Sequence, residues 1–134
     1  MVRSYGCQDM VGPLRRVLVR RPDASFAVED PAAWHYASRP RLAVARREHD
    51  AFVARLRDAG AEVLQHDGPQ PGRADSIFVH DPAIVTDVGA ILLRMGKALR
   101  RGEEESMGER LESVGIPILG RLTGNATAEG GDLL

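Results

Sequence analysis

This chain of 134 residues has little cysteine, few aromatics and no long apolar run, and each shortage closes off a class of protein. A single cysteine, Cys7, cannot build an intrachain disulfide framework, so a packed core must hold the fold, and a reducing, cytoplasmic setting is expected. Cys7 and the four histidines, His35, His49, His66 and His80, show no metal-ligand spacing, and no metal site is expected. No apolar stretch approaches the roughly 18 residues of a membrane span, and the opening MVRSYGCQDM lacks the apolar segment of a secretory signal. Neither sign of charge dominates: 18 Lys and Arg face 19 Asp and Glu, which gives no footing for nucleic acid or an anionic membrane. Neither Gly102 nor Gly130-Gly131 is followed by Lys-Ser or Lys-Thr, so there is no phosphate-binding loop, and no cofactor is expected.

What is present reads as one soluble globular domain, 28% charged and 43% hydrophobic. Val17-Leu18-Val19, closed by Arg21-Pro22-Asp23, predicts a buried strand and a turn. Residues 23–38 have no firm period and predict a loop. From Ser38 to Gly60, Leu42, Ala45, His49, Phe52 and Leu56 recur at spacings of three and four, which predicts a helix with one apolar stripe. Ser38 is its expected cap, Pro40 suits its first turn and Gly60 its stop. Residues 61–66 predict a strand, and Ala83–Thr86 with Ala90–Arg94 predict a hairpin around Gly89. A second helix is expected from Arg101 to Val114 with Met107, Leu111 and Val114 inward and Gly115 as its stop, then a strand from Ile116 to Leu119. The order strand, helix, strand, loop, two strands, helix, strand is α/β architecture.

The residues with chemistry to offer cluster in three places: Asp75-Ser-Ile-Phe78-Val-His80-Asp81, Arg100-Arg101-Gly102-Glu103, and Glu129-Gly130-Gly131-Asp132. Carboxylates, an aromatic ring and a guanidinium suit a ligand with a cation at one end and an anion at the other. Plainer roles compete. Asp75 and Asp81 also fit turn caps. Glu103, Glu104 and Glu105 fit a helix first turn, where a carboxylate meets the helix dipole favourably; Arg100 and Arg101 stand where a cation does not. The two glycines after Glu129 are expected to give the backbone there a conformation other residues avoid.

In their order and spacing, the three motifs resemble the pentein superfamily of guanidino-modifying enzymes, which includes dimethylarginine dimethylaminohydrolases, arginine deiminases and amidinotransferases. The resemblance runs from Arg16 to the last residue. It implies part of a five-bladed α/β propeller of ββαβ units, about half of it present, with residues 1–134 as the N-terminal portion of a single catalytic domain. It implies Glu129 as the catalytic carboxylate, paired with a histidine and touching the guanidinium. Asp81 becomes the second carboxylate on the guanidinium with Asp75 nearby, Phe78 a pocket wall, and Arg100 the anchor of the substrate's α-carboxylate. The family's histidine and nucleophilic cysteine lie beyond the Glu-Gly-Gly-Asp turn, and Cys7 matches no family motif. Where the hydrolases often have an acidic residue before the second Asp, this chain has His80.

The function so implied is hydrolysis of a C–N bond in a methylated arginine, giving citrulline and an amine through a cysteine-bound intermediate. The chain alone is expected to be inactive. Arginine deiminase, amidinotransferase, or a non-catalytic binding module are the alternatives. Its expected partners are a small guanidino compound and either a second copy or the rest of its own sequence. The open face is expected around Ile91 to Leu93 and Ile116 to Leu119.

Overall fold

The computed structural model describes residues 5, 6, 9 and 11–133; Cys7 lies outside them. Strand β1 (Arg16–Val19) and strand β2 (Glu62–Gln65) pair in parallel, Val17 beside Val63 and Leu18 beside Leu64. Helix α1 (Leu42–Asp58) makes the crossover that parallel strands require. A hairpin follows, β3 (Ala83–Thr86) antiparallel to β4 (Gly89–Leu92). Helix α2 (Glu103–Ser113) then leads to β5 (Ile118–Arg121), parallel to β4. One ββαβ unit is thus complete in β3, β4, α2 and β5, and β1, α1 and β2 make a βαβ unit beside it.

The core lies between α2 and the three-stranded sheet. Ala90, Met107, Leu111 and Ile116 are its buried centre, with Leu18, Val79, Val85 and Ile118 packed around them. Helix and sheet approach closely because α2 carries Gly108, where a Cβ would press on the Leu92 side chain. Both helices stop at the expected glycines, Gly60 at φ 90° and Gly115 at φ 85°, in the left-handed region that favours glycine.

Three details differ from the sequence reading. Arg41, not Ser38, stands at the start of α1, and it makes no side-chain cap. Val53 is the buried residue of α1 and Phe52 is 53% exposed, because a two-stranded sheet is too narrow to cover the whole stripe. Strand β5 begins two residues later than expected. Pro117 has no N–H to donate, and its carbonyl instead accepts from Ala90 N at 2.8 Å, while Ile116 turns into the core. The expected open face at Ile91 to Leu93 and Ile116 to Leu119 is apolar and exposed only in part, at Leu119, 52% exposed. Leu92, Leu93 and Ile116 are buried, and a second apolar surface opens at the exposed Phe52 and Phe78 with the half-buried Leu18 and Val79 between them.

Candidate active site

Two tight turns build the first wall. A 3-10 turn at Ala74–Ile77 is closed by Phe78 N donating to the Asp75 carbonyl at 2.9 Å, and Asp81 N donates to the Phe78 carbonyl at 3.2 Å. Asp75, Phe78 and Asp81 therefore recur every three residues. Asp75 is buried, Phe78 is half exposed and Asp81 is half-buried.

Arg100 ends a second 3-10 turn, Ala98–Arg100, and lies 5% exposed beneath the first. Its Nη1 donates to Asp81 Oδ2 at 2.7 Å, its Nη2 to Glu103 Oε2 at 2.8 Å and to the Asp75 carbonyl at 3.2 Å, and its Nε to Glu103 Oε1 at 3.0 Å. Burial opposes the guanidinium's charge, but the hydrogen bonds of Glu103 and Asp81 outweigh it and raise its pKa. The sequence reading made Arg100 a free anchor for a substrate carboxylate. In the structure four of its five N–H groups are engaged inside the protein, where they hold the Asp75–Asp81 turn in place. Glu103, 1% exposed and three residues on, is the partner that sequence reasoning assigned only to a helix start.

Asp75 is occupied as well. Tyr36 Oη donates to Oδ1 at 2.5 Å and Lys97 Nζ to Oδ2 at 2.9 Å. Burial, then this bond, raises the Tyr36 pKa. Lys97 and Tyr36 carried no motif that would have singled them out, although Lys97, Arg100 and Glu103 share a spacing of three.

Glu129 reaches the site through backbone contact. Gly130 N donates to the Asp81 carbonyl at 3.1 Å, and Ala128 pairs with Arg94. A Cβ at Gly130 would collide with the His80 carbonyl oxygen, so glycine is needed here for close approach. Neither Gly130 nor Gly131 has the positive φ expected of them. Asp132 accepts from Glu129 N at 2.9 Å and braces the turn.

Charge does not balance across this cluster. Asp75, Asp81 and Glu103 face Lys97 and Arg100, three carboxyl groups to two cations, with burial raising the Glu103 pKa. Glu129, with no ion pair among the described residues, turns its side chain onto its own 3-10 turn, and only main chain joins its segment to the cluster. The Phe78 ring lies beside it, 5.9 Å from the Arg100 guanidinium carbon. His80 stands where two open apolar grooves meet, of about 580 and 370 Å³, which share Leu18 and Val79. Among the described residues no His, Cys, Asp and Glu group is arranged to hold a metal, and no helix is long and apolar enough to cross a membrane.

With this geometry in hand, a family model described as eukaryotic N,N dimethylarginine dimethylhydrolase matches residues 33–128. The chain belongs to that family, within the pentein superfamily. The match takes in Asp75, Phe78, Asp81 and Arg100 and stops one residue before Glu129. N(G),N(G)-dimethylarginine dimethylaminohydrolases from Pseudomonas aeruginosa and Streptomyces coelicolor are each 30% identical to this chain over 122 residues, covering 90% and 91% of it. A variant of the Pseudomonas aeruginosa enzyme, solved in complex with citrulline, superposes with a TM-score of 0.70 at 27% identity, over 89% of this chain. The chain spans about half the length of the relatives it matches, 46% in each of these three.

Proposed function

We propose that this chain supplies the guanidinium-binding half of a hydrolase of the dimethylarginine dimethylaminohydrolase type, which cleaves a C–N bond of a substituted guanidinium. The observation that supports this reading is the half-buried Asp81 carboxylate, held by Arg100 next to the exposed Phe78 ring, with the Glu129 segment tied to it by the Gly130 N–H on the Asp81 carbonyl. A guanidinium is planar and permanently charged, and carboxylates at two of its edges fix its plane while leaving its central carbon open to attack from above. Arg100 and Glu103 hold Asp81 so that it meets the ligand without rearranging, which is how a preorganised charge acts.

The chemistry of this reading is nucleophilic. A thiolate adds to the guanidinium carbon, a base returns a proton to the departing amine as the C–N bond breaks, and water then displaces the thiol to leave a ureido product. In this reading the nucleophile and its histidine are supplied by a partner segment or chain. The apolar grooves around Leu18, Val79 and His80 are the face that would receive it. Calorimetric titration with a guanidinium ligand tests the reading. Asp81→Asn and Glu129→Gln should each remove a charge-assisted bond of roughly 1.5–3 kcal/mol, or about tenfold to a hundredfold in affinity. Affinities unchanged by both substitutions would remove these carboxylates from the site.

A further inference from the structure

Lys97 is the cation that the site's chemistry has not yet used. Its Nζ lies 4.6 Å from the centroid of the Trp34 ring, 2.9 Å from Asp75 Oδ2 and 3.3 Å from the Trp34 carbonyl oxygen. Trp34 and Asp75 are 8% and 7% exposed, and Tyr36 fixes the other carboxylate oxygen. An aromatic face, a desolvated carboxylate and a carbonyl together are the means by which proteins recognise an ammonium group. The chain has therefore built an ammonium seat at the edge of its guanidinium site and filled it with its own side chain.

We propose that Lys97 is a specificity-determining residue: by occupying the seat formed by Trp34 and Asp75, it makes the site select guanidino acids that carry no ammonium group over their amino-acid counterparts. This rests on the guanidino reading of Asp81 and Glu129. A tethered ammonium competes at high effective concentration, so a ligand's ammonium finds Asp75 taken and meets a like charge beside it. Two of the three Lys97 donors are used within the protein, and its side chain is 22% exposed, so the third donor serves a ligand carboxylate. Arg100 spends four of its five N–H groups on Asp81, Glu103 and the Asp75 carbonyl and its side chain is 6% exposed, so Lys97 is the more accessible cation for that role.

The test is calorimetric titration of the whole chain with two compounds that differ only in the ammonium group, L-arginine and deaminoarginine. The unaltered chain should bind deaminoarginine at least tenfold more tightly. Lys97→Met frees Asp75, and that preference should fall at least tenfold through tighter arginine binding, whereas Lys97→Arg keeps a cation in place and should retain the preference. Equal affinities for the unaltered chain, or a preference unmoved by Lys97→Met, would overturn the role of Lys97 while leaving the guanidino site standing. Failure of the unaltered chain to bind either compound would overturn the guanidino reading and this inference with it. If Lys97→Met does not fold, loss of the preference in Lys97→Arg overturns the proposal and its retention supports it.

Discussion

His66 gives the chain a stability that drains away in mild acid. It is 2% exposed at the end of β2, and neither ring nitrogen has a partner among the described residues. Arg20 and Arg110 donate to the carbonyls of His66 and Gln65, so two cations stand close. Burial first, then those charges, lowers its pKa from 6.5 to about 4. The folded chain thus prefers the neutral ring. Above pH 6.5 both states are neutral and the full stability is present. Below it the unfolded chain binds a proton that the folded chain refuses, and stability falls until the pH reaches about 4. The whole window is worth about 3 kcal/mol, and about half of that is lost by roughly pH 5.2, before most carboxylates titrate. Urea midpoints at pH 7 and 5.2 measure the loss. His66→Leu removes no hydrogen bond of the ring and should abolish most of the difference between the two pH values. An equal drop in both proteins would place the titrating group elsewhere. The consequence reaches the site, because Arg20 joins the His66 and Gly68 carbonyls to Asp23, at the root of the loop that carries Trp34 and Tyr36.

Further outcomes are expected. Glu103→Gln weakens a buried ion pair and should lower stability by about 3 kcal/mol, read as a urea midpoint shift, whereas replacing the exposed Glu105, paired with Arg121, should cost less than about 1 kcal/mol. Gly130→Ala forces a methyl against the His80 carbonyl and should cost roughly 1–3 kcal/mol with a weakened guanidinium site, measured by thermal melting and titration. The chain should self-associate through Leu18, Phe52, Phe78 and Val79; Phe52→Glu should shift light scattering towards monomer, and an unaltered chain that stays monomeric across concentrations would refute this. The pure chain should release no citrulline from any arginine derivative, and turnover above buffer would show that it carries its own nucleophile.

The order of elements was legible because apolar spacing and glycine stops are local signals, and Gly60 and Gly115 end their helices as read. The burial of Val53 in place of Phe52 was not, since it depends on the width of the sheet that α1 covers. At the site, the segments were legible but their internal bonds were not. Arg100 shows a guanidinium in sequence; nothing there tells that Asp81, nineteen residues back, and Glu103 will claim it. Lys97 has no motif around it, and its role depends on Trp34 and Asp75, which lie far from it in sequence and meet it only in the fold.

The contact between Gly130 and the Asp81 carbonyl has a consequence for divergence. It is made by main chain on both sides, but the His80 side chain also packs against Gly130, so the gauge between the Asp81 and Glu129 segments depends on a glycine at 130 and on what stands at 80. A lineage can therefore vary position 80 only within the room that a glycine at 130 leaves.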